Sequence, residues 1–143
     1  MKIARKDKVK LGALVNKLRQ KMPRDMNPLR KVAAECDMNF STLNDIEKGD
    51  GFPTEAVILR LSENLLLSDE DRHGLLNKYS DIAKVAPPDI DRYLISEHGK
   101  AWWDILRLAE GKDITPGTFT EIKKIITALE DKKDEPAEQS EHQ

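Results

Sequence analysis

One cysteine, Cys36, stands in a chain of 143 residues. A single thiol excludes an intramolecular disulfide framework and any cysteine-rich zinc site, and makes a reducing compartment the expectation. Long hydrophobic runs are missing too. No stretch approaches the ~18 apolar residues of a membrane span. The basic opening MKIARKDKVK is followed by no apolar run, so it does not read as a secretory signal. With only 5 % aromatic, 38 % hydrophobic and 35 % charged residues, the bulk composition points to a soluble, cytoplasmic and helical chain with no membrane partner. His73, His98 and His142 lack metal-ligand spacing relative to Cys36 or to clustered acids. There is no Ser/Cys–His pairing by motif, no glycine-rich phosphate loop and no zinc signature. The expectation is therefore neither an enzyme nor a metal or cofactor protein.

Charge is present in quantity but divided. The 24 Lys and Arg nearly balance the 26 Asp and Glu, for a net charge of −2. Residues 1–34, however, carry 11 basic side chains against Asp7 and Asp25, a net +9, and residues 35–143 carry 13 basic against 24 acidic, a net −11. Such a split fits a local footprint for a polyanion on an acidic body. It also fits a solvated basic face.

Every strongly periodic segment has helical spacing. Leu11, Leu14, Val15, Leu18 and Met22 make one stripe, stopped by Pro23. Asn27-Pro28 is a cap and first-turn pair for a second helix bearing Leu29, Val32, Ala33 and Cys36. Asp37 marks a sharp turn, Asn39 caps a third helix with Leu43 and Ile46 inward, and Gly49 and Gly51 end it. Pro53-Thr54 opens a fourth helix with Ile58, Leu61, Ser62 and Leu65 inward. Ser68 with three following acids opens a fifth, carrying Leu75, Leu76, Tyr79, Ile82 and Ala83. Pro87-Pro88 is the clearest break. Beyond it come stripes of Ile90, Tyr93 and Leu94, of Trp102, Ile105, Leu106 and Ala109, and of Phe119, Ile122, Ile126 and Leu129. The last of these starts at a Thr118–Glu121 capping box or earlier, at Thr115-Pro116. Trp102-Trp103 anchors a core or an interface, since only one ring can lie on the inward stripe. The predicted organisation is 1–86, 87–130 and a disordered acidic tail 131–143.

The second and third helices are separated only by Asp37-Met38-Asn39, which describes a helix-turn-helix. Here the chain resembles the Xre family, the DNA-binding domain of Cro- and phage-repressor-type regulators. Ala33 stands at the small position of the scanning helix, Asn39 at the cap of the recognition helix, and Ile46-Glu47-Lys48-Gly49 at the I-E-x-G motif that ends it. Pro53 then opens the next helix, with Leu61 and Leu65 at L-x-x-x-L spacing. The match covers roughly residues 9–66 and runs more loosely through the fifth helix.

The resemblance implies an all-α, five-helix repressor-like helix-turn-helix domain followed by a small helical C-terminal segment. It implies a homodimer on double-stranded DNA, gripping a two-fold operator with half-sites about 34–36 Å apart. A repressor is the expected sign, with an antitoxin-type autoregulator as a narrower case. The helices after Pro88 would then dimerise or hold a protein partner such as a toxin. Phe40, Ser41, Asn44 and Asp45 fall where base edges are read, although Phe40 can equally fold onto the domain. Thr42, Arg24, Arg30, Lys31 and Lys48 fall beside the backbone, and Lys2, Arg5, Lys6, Lys8 and Lys10 form a basic run ahead of the first helix. Arg19 and Glu47 hold positions whose counterparts form an ion pair. Cys36 reads as a small buried hydrophobe.

Three features depart from the family pattern. Asp37 replaces the usual Gly, the loop between the first two helices is about three residues longer, and the recognition helix has Asp45 and Glu47 against Lys48 alone. The acidic helix and the −11 segment keep a second reading open, an interaction module that has the fold without the operator.

Overall fold

The computed structural model describes residues 2–132, and the structure over them is all-α. Eight helices follow in order: α1 Arg5–Gln20, α2 Leu29–Glu35, α3 Phe40–Lys48, α4 Glu55–Asn64, α5 Asp69–Ala83, α6 Pro88–Leu94, α7 Trp102–Glu110 and α8 Pro116–Thr127. A 3-10 turn at Gly99–Ala101 precedes α7. The expected tail over 131–143 falls, beyond Lys132, outside the described residues. Two compact units divide the chain, the first running to Lys100 and the second beginning at Ala101. Pro87-Pro88 is therefore a break between helices and not between units. Pro88 is buried, and α6 packs on α4 and α5.

In the first unit the apolar stripes converge as their spacing predicts. Leu11, Val15 and Leu18 of α1 meet Val32, Ala33 and Cys36, then Leu43 and Ile46 of α3, Ile58 and Leu61 of α4, and Leu75, Leu76 and Tyr79 of α5. Phe52 stacks on Tyr79 with ring centroids 5.4 Å apart, tying the loop after α3 to α5. Cys36 lies in this core with its thiol turned to the Arg60 carbonyl at 3.8 Å. Burial pushes its pKa from 9.0 up to about 11, against a smaller lowering by the Arg60 charge. Three stripes beyond Pro87 come out differently. Ile90 and Tyr93 of α6 are about half exposed, and α7 and α8 have no buried residue.

Most helix ends follow their local chemistry. The Thr54, Ser68 and Thr115 hydroxyls accept the amides of Val57, Asp71 and Thr118, so α8 opens at Thr115-Pro116 and not at Thr118. Asp37 adopts φ 53°, the left-handed turn that Gly would take without a Cβ penalty. Two caps differ from expectation. Pro28, not Asn27, occupies the cap position of α2, and Asn39 caps α3 by position without a side-chain hydrogen bond. The Asn27 side chain turns back to the Met22 carbonyl instead, while its own carbonyl accepts from Arg19.

Helices α1 and α3 cross closely, and glycine makes the crossing possible. A Cβ on Gly12 would lie 2.2 Å from the Ile46 carbonyl oxygen and 2.8 Å from that of Glu47. Gly49, at φ 80°, packs on Val9 in the same crossing. Gly74 on α5 is the contrary case, with nothing within 4 Å of where its Cβ would be. Gly12→Ala is expected to cost about 1–3 kcal/mol by forcing two helix backbones apart. Gly74→Ala should gain up to about 1 kcal/mol. Urea denaturation of both variants checks the pair. The Cys36 thiol should resist a disulfide reagent at pH 8 in the native protein and react at once in denaturant. Because the unfolded thiol ionises near 9.0 and the folded one near 11, this group makes stability fall as pH rises through that window.

Candidate nucleic-acid interface

Helix α3 has an inner and an outer face. Leu43 and Ile46 are buried, so the 100° step per residue turns Ser41, Asn44, Asp45 and Lys48 to the opposite side. Ser41, Asp45 and Lys48 are exposed and Asn44 is half-buried. Phe40 and Thr42 flank this stripe. Phe40 is 37 % exposed and lies under the Arg30 guanidinium, 4.2 Å from its ring centroid. That cation–π contact contributes about 0.5–1 kcal/mol at an exposed site and couples the start of α2 to the start of α3. Thr42 and Asp45 line a cleft of about 190 Å³ with Pro53, Thr54 and Val57.

A buried charge pair sets the orientation of α3. Arg19 Nε donates to Glu47 Oε2 at 2.6 Å and a terminal guanidinium nitrogen donates to Oε1 at 3.0 Å. Asn16 Nδ2 gives Oε1 a further bond at 2.8 Å. The remaining Arg19 nitrogen donates to the Asn27 carbonyl at 2.7 Å, which pins the loop entering α2. Both side chains are nearly closed to solvent, at 10 % and 8 % exposure. Gly12, Asn16 and Arg19 stand at i, i+4 and i+7, so one stripe of α1 supplies both the gap and the donors. Sequence reasoning missed Gly12 and Asn16. A glycine inside an apolar periodic helix was the available signal.

Cations lie towards both ends of α3. Arg30 covers Phe40 at its start, and Lys31 donates from α2 to the Asp25 carbonyl at 2.7 Å. Arg24 is exposed in the loop before α2. Arg5, Lys6, Lys8 and Lys10 do not form an arm ahead of the first helix. They lie inside the first two turns of α1, and only Lys2 precedes it. That end of α1 is the one Val9 packs on Gly49, just past α3. Positive side chains at a helix N-terminus oppose the macrodipole by a few tenths of a kcal/mol each, so they do not serve the helix itself. Arg5 is partly spent, since it pairs with Asp50 at 2.8 Å.

Other charges are arranged locally. Asp69 is lowered from the usual carboxylate range by its hydrogen bond from Arg72, and burial raises the Tyr79 phenol. Among the described residues no three His, Cys, Asp or Glu side chains gather as a metal group. No helix among those residues is long and apolar enough to cross a membrane. No known family model, curated protein or solved structure matches the chain.

Glu47→Ala is expected to cost about 3–5 kcal/mol by leaving Arg19 buried and unpaired. Replacing both partners together, Arg19→Met with Glu47→Leu, should cost less than the two single substitutions combined. Chemical denaturation of the four proteins measures the difference.

Proposed function

We propose that this chain is a sequence-specific DNA-binding transcriptional regulator of the Xre type, a homodimeric repressor that sets α3 in the major groove. The observation that carries the reading is the α3 surface: a short helix clamped from behind by Arg19 and Glu47, presenting Ser41, Asn44 and Asp45 outward between basic groups. Ser41 can pair with any base, Asn44 suits adenine and Asp45 can accept from cytosine N4. Arg24, Arg30, Lys31, Lys48 and the Lys residues of early α1 supply phosphate contacts that fix register. Phe40 keeps enough exposed ring to touch a thymine methyl while Arg30 holds it.

Asp45 and Asp50 favour a second reading, the protein-interaction module. Asp45 places a negative charge on the outer stripe and Asp50 occupies Arg5, which together weaken attraction to phosphate. The salt dependence of duplex binding separates the two. A regulator loses affinity linearly in log–log form, with slope about −0.9 per phosphate neutralised. Lys31→Ala should weaken all sequences alike and reduce that slope by about 1. Ser41→Ala and Asn44→Ala should change which sequences are preferred, at about 1–3 kcal/mol for the base concerned. The measurement is fluorescence anisotropy on duplexes selected from DNA that co-purifies with the protein. No duplex binding above background at ~50 mM salt would give the interaction module instead.

A further inference from the structure

Residues 21–28 join α1 to α2, a connection at the long end of the range for packed helices. This loop is held in one shape. The Met26 amide donates to the Pro23 carbonyl at 2.9 Å, Lys31 Nζ to the Asp25 carbonyl at 2.7 Å, and Arg19 to the Asn27 carbonyl at 2.7 Å. With α2 and the end of α4 the loop forms a cavity of about 350 Å³, within the size range of small-molecule sites. None of the residues assigned above to base reading lines it. Its lining is of two kinds. Met22, Met26 and Leu66 are apolar, and Lys31, Glu35, Glu63 and Asn64 are polar. Leu66 adopts φ 56°, a left-handed conformation that Leu rarely takes, and remains 62 % exposed. Core packing therefore does not account for its position, whereas the cavity gives its side chain a role.

We propose that this cavity is a binding site for a small organic cation with an apolar body. Helix geometry and charge both select the cation. Glu35 and Asn64 are the last residues of α2 and α4, so two helix C-termini, the negative ends of their dipoles, close on the cavity. Glu35 and Glu63 have no ion pair or hydrogen bond with any described residue. Lys31 is the one basic lining residue, and its ammonium is already directed to the Asp25 carbonyl. Asn64 spends Nδ2 on the Arg60 carbonyl at 2.8 Å, which leaves its Oδ1 as a further acceptor. An ammonium group entering here meets carboxylates, an amide oxygen and helix ends, all of complementary sign, whereas an anion meets repulsion from each. The body of the ligand then lies on Met22 and Met26, whose thioethers pack well against an aromatic ring. A volume of about 350 Å³ holds roughly ten non-hydrogen atoms. Because the loop is already pinned, binding does not have to order it.

The inference does not depend on the DNA reading and is tested without a duplex. In the full chain carrying isotope-labelled methionine methyl groups, phenethylamine should move the Met22 and Met26 resonances saturably, with a Kd of about 1 mM. Met38, which packs against the core and does not line the cavity, should not follow them. The neutral isostere phenethyl alcohol should bind about 10-fold more weakly, and phenylpropanoate should not bind. Glu35→Gln combined with Glu63→Gln should bring the amine down to the affinity of the alcohol. Both carboxylates are exposed, so this variant should unfold at no lower a temperature than the wild type. Leu66→Gly relieves the left-handed backbone and removes an apolar lining group, so it should weaken amine and alcohol alike, by about 5-fold. No saturable movement of the Met22 and Met26 methyls, equal affinity for amine and alcohol, or an amine preference that survives the double substitution overturns the proposal.

Discussion

Two buried charges hold the first unit in register. Arg19 and Glu47 have largely left water, and the cost of that step is offset because each guanidinium nitrogen and each carboxylate oxygen finds a partner. Glu47 receives Arg19 twice and Asn16 once, while Arg19 also takes the Asn27 carbonyl. A bidentate pair tolerates little displacement. It therefore fixes the distance and rotation of α3 against α1, and through Asn27 the entry to α2. The same geometry requires the backbones to touch, which is why Gly12 stands where any Cβ would meet the Ile46 and Glu47 carbonyls.

Pinning α3 from behind frees its other face. Leu43 and Ile46 fill the core, so the rotation left to Ser41, Asn44, Asp45 and Lys48 is set by packing and not by their own chemistry. Charges around this face are opposed. Arg30, Lys31 and the early α1 lysines favour a polyanion, whereas Asp45 and Asp50 reduce the field close to the helix. On the proposed reading such a surface would bind phosphate weakly and discriminate through specific contacts, because the electrostatic contribution common to all sequences would be small.

The two units solve the burial problem differently. Five helices carrying one aliphatic stripe each, with α6 laid over α4 and α5, leave the first unit's core closed. Two short helices cannot do the same, and Leu108, Ile125 and Leu129 stay in solvent. Apolar area of this extent on a small unit is a feature of interaction surfaces and not of finished domains.

Much of this is legible in the sequence alone. Apolar spacing located the eight helices, and the stripe residues of α1 to α5 are the core, because a 3.6-residue period leaves only one way to hide them. Thr54, Ser68 and Asp37 declared their ends and turns by local hydrogen bonding and left-handed tolerance. The candidate residues of α3 were placed by motif spacing. What the one-dimensional pattern could not contain was distance between helices. Gly12 looks like a weak point of a helix until α3 is laid across it, and Asn16 looks like a surface polar residue until Glu47 is beside it. Lys6, Lys8 and Lys10 read as an arm because charge alone carries no period, yet they are wound into α1. Pro88 reads as a boundary because proline breaks a helix, although a break in the backbone is not a break in the packing. Composition and periodicity determined an all-α chain and which faces are apolar, since those depend only on neighbours along the sequence. Which helices touch, which charges are buried together, and which apolar face stays exposed were decided by tertiary structure, since each depends on residues far apart in the chain.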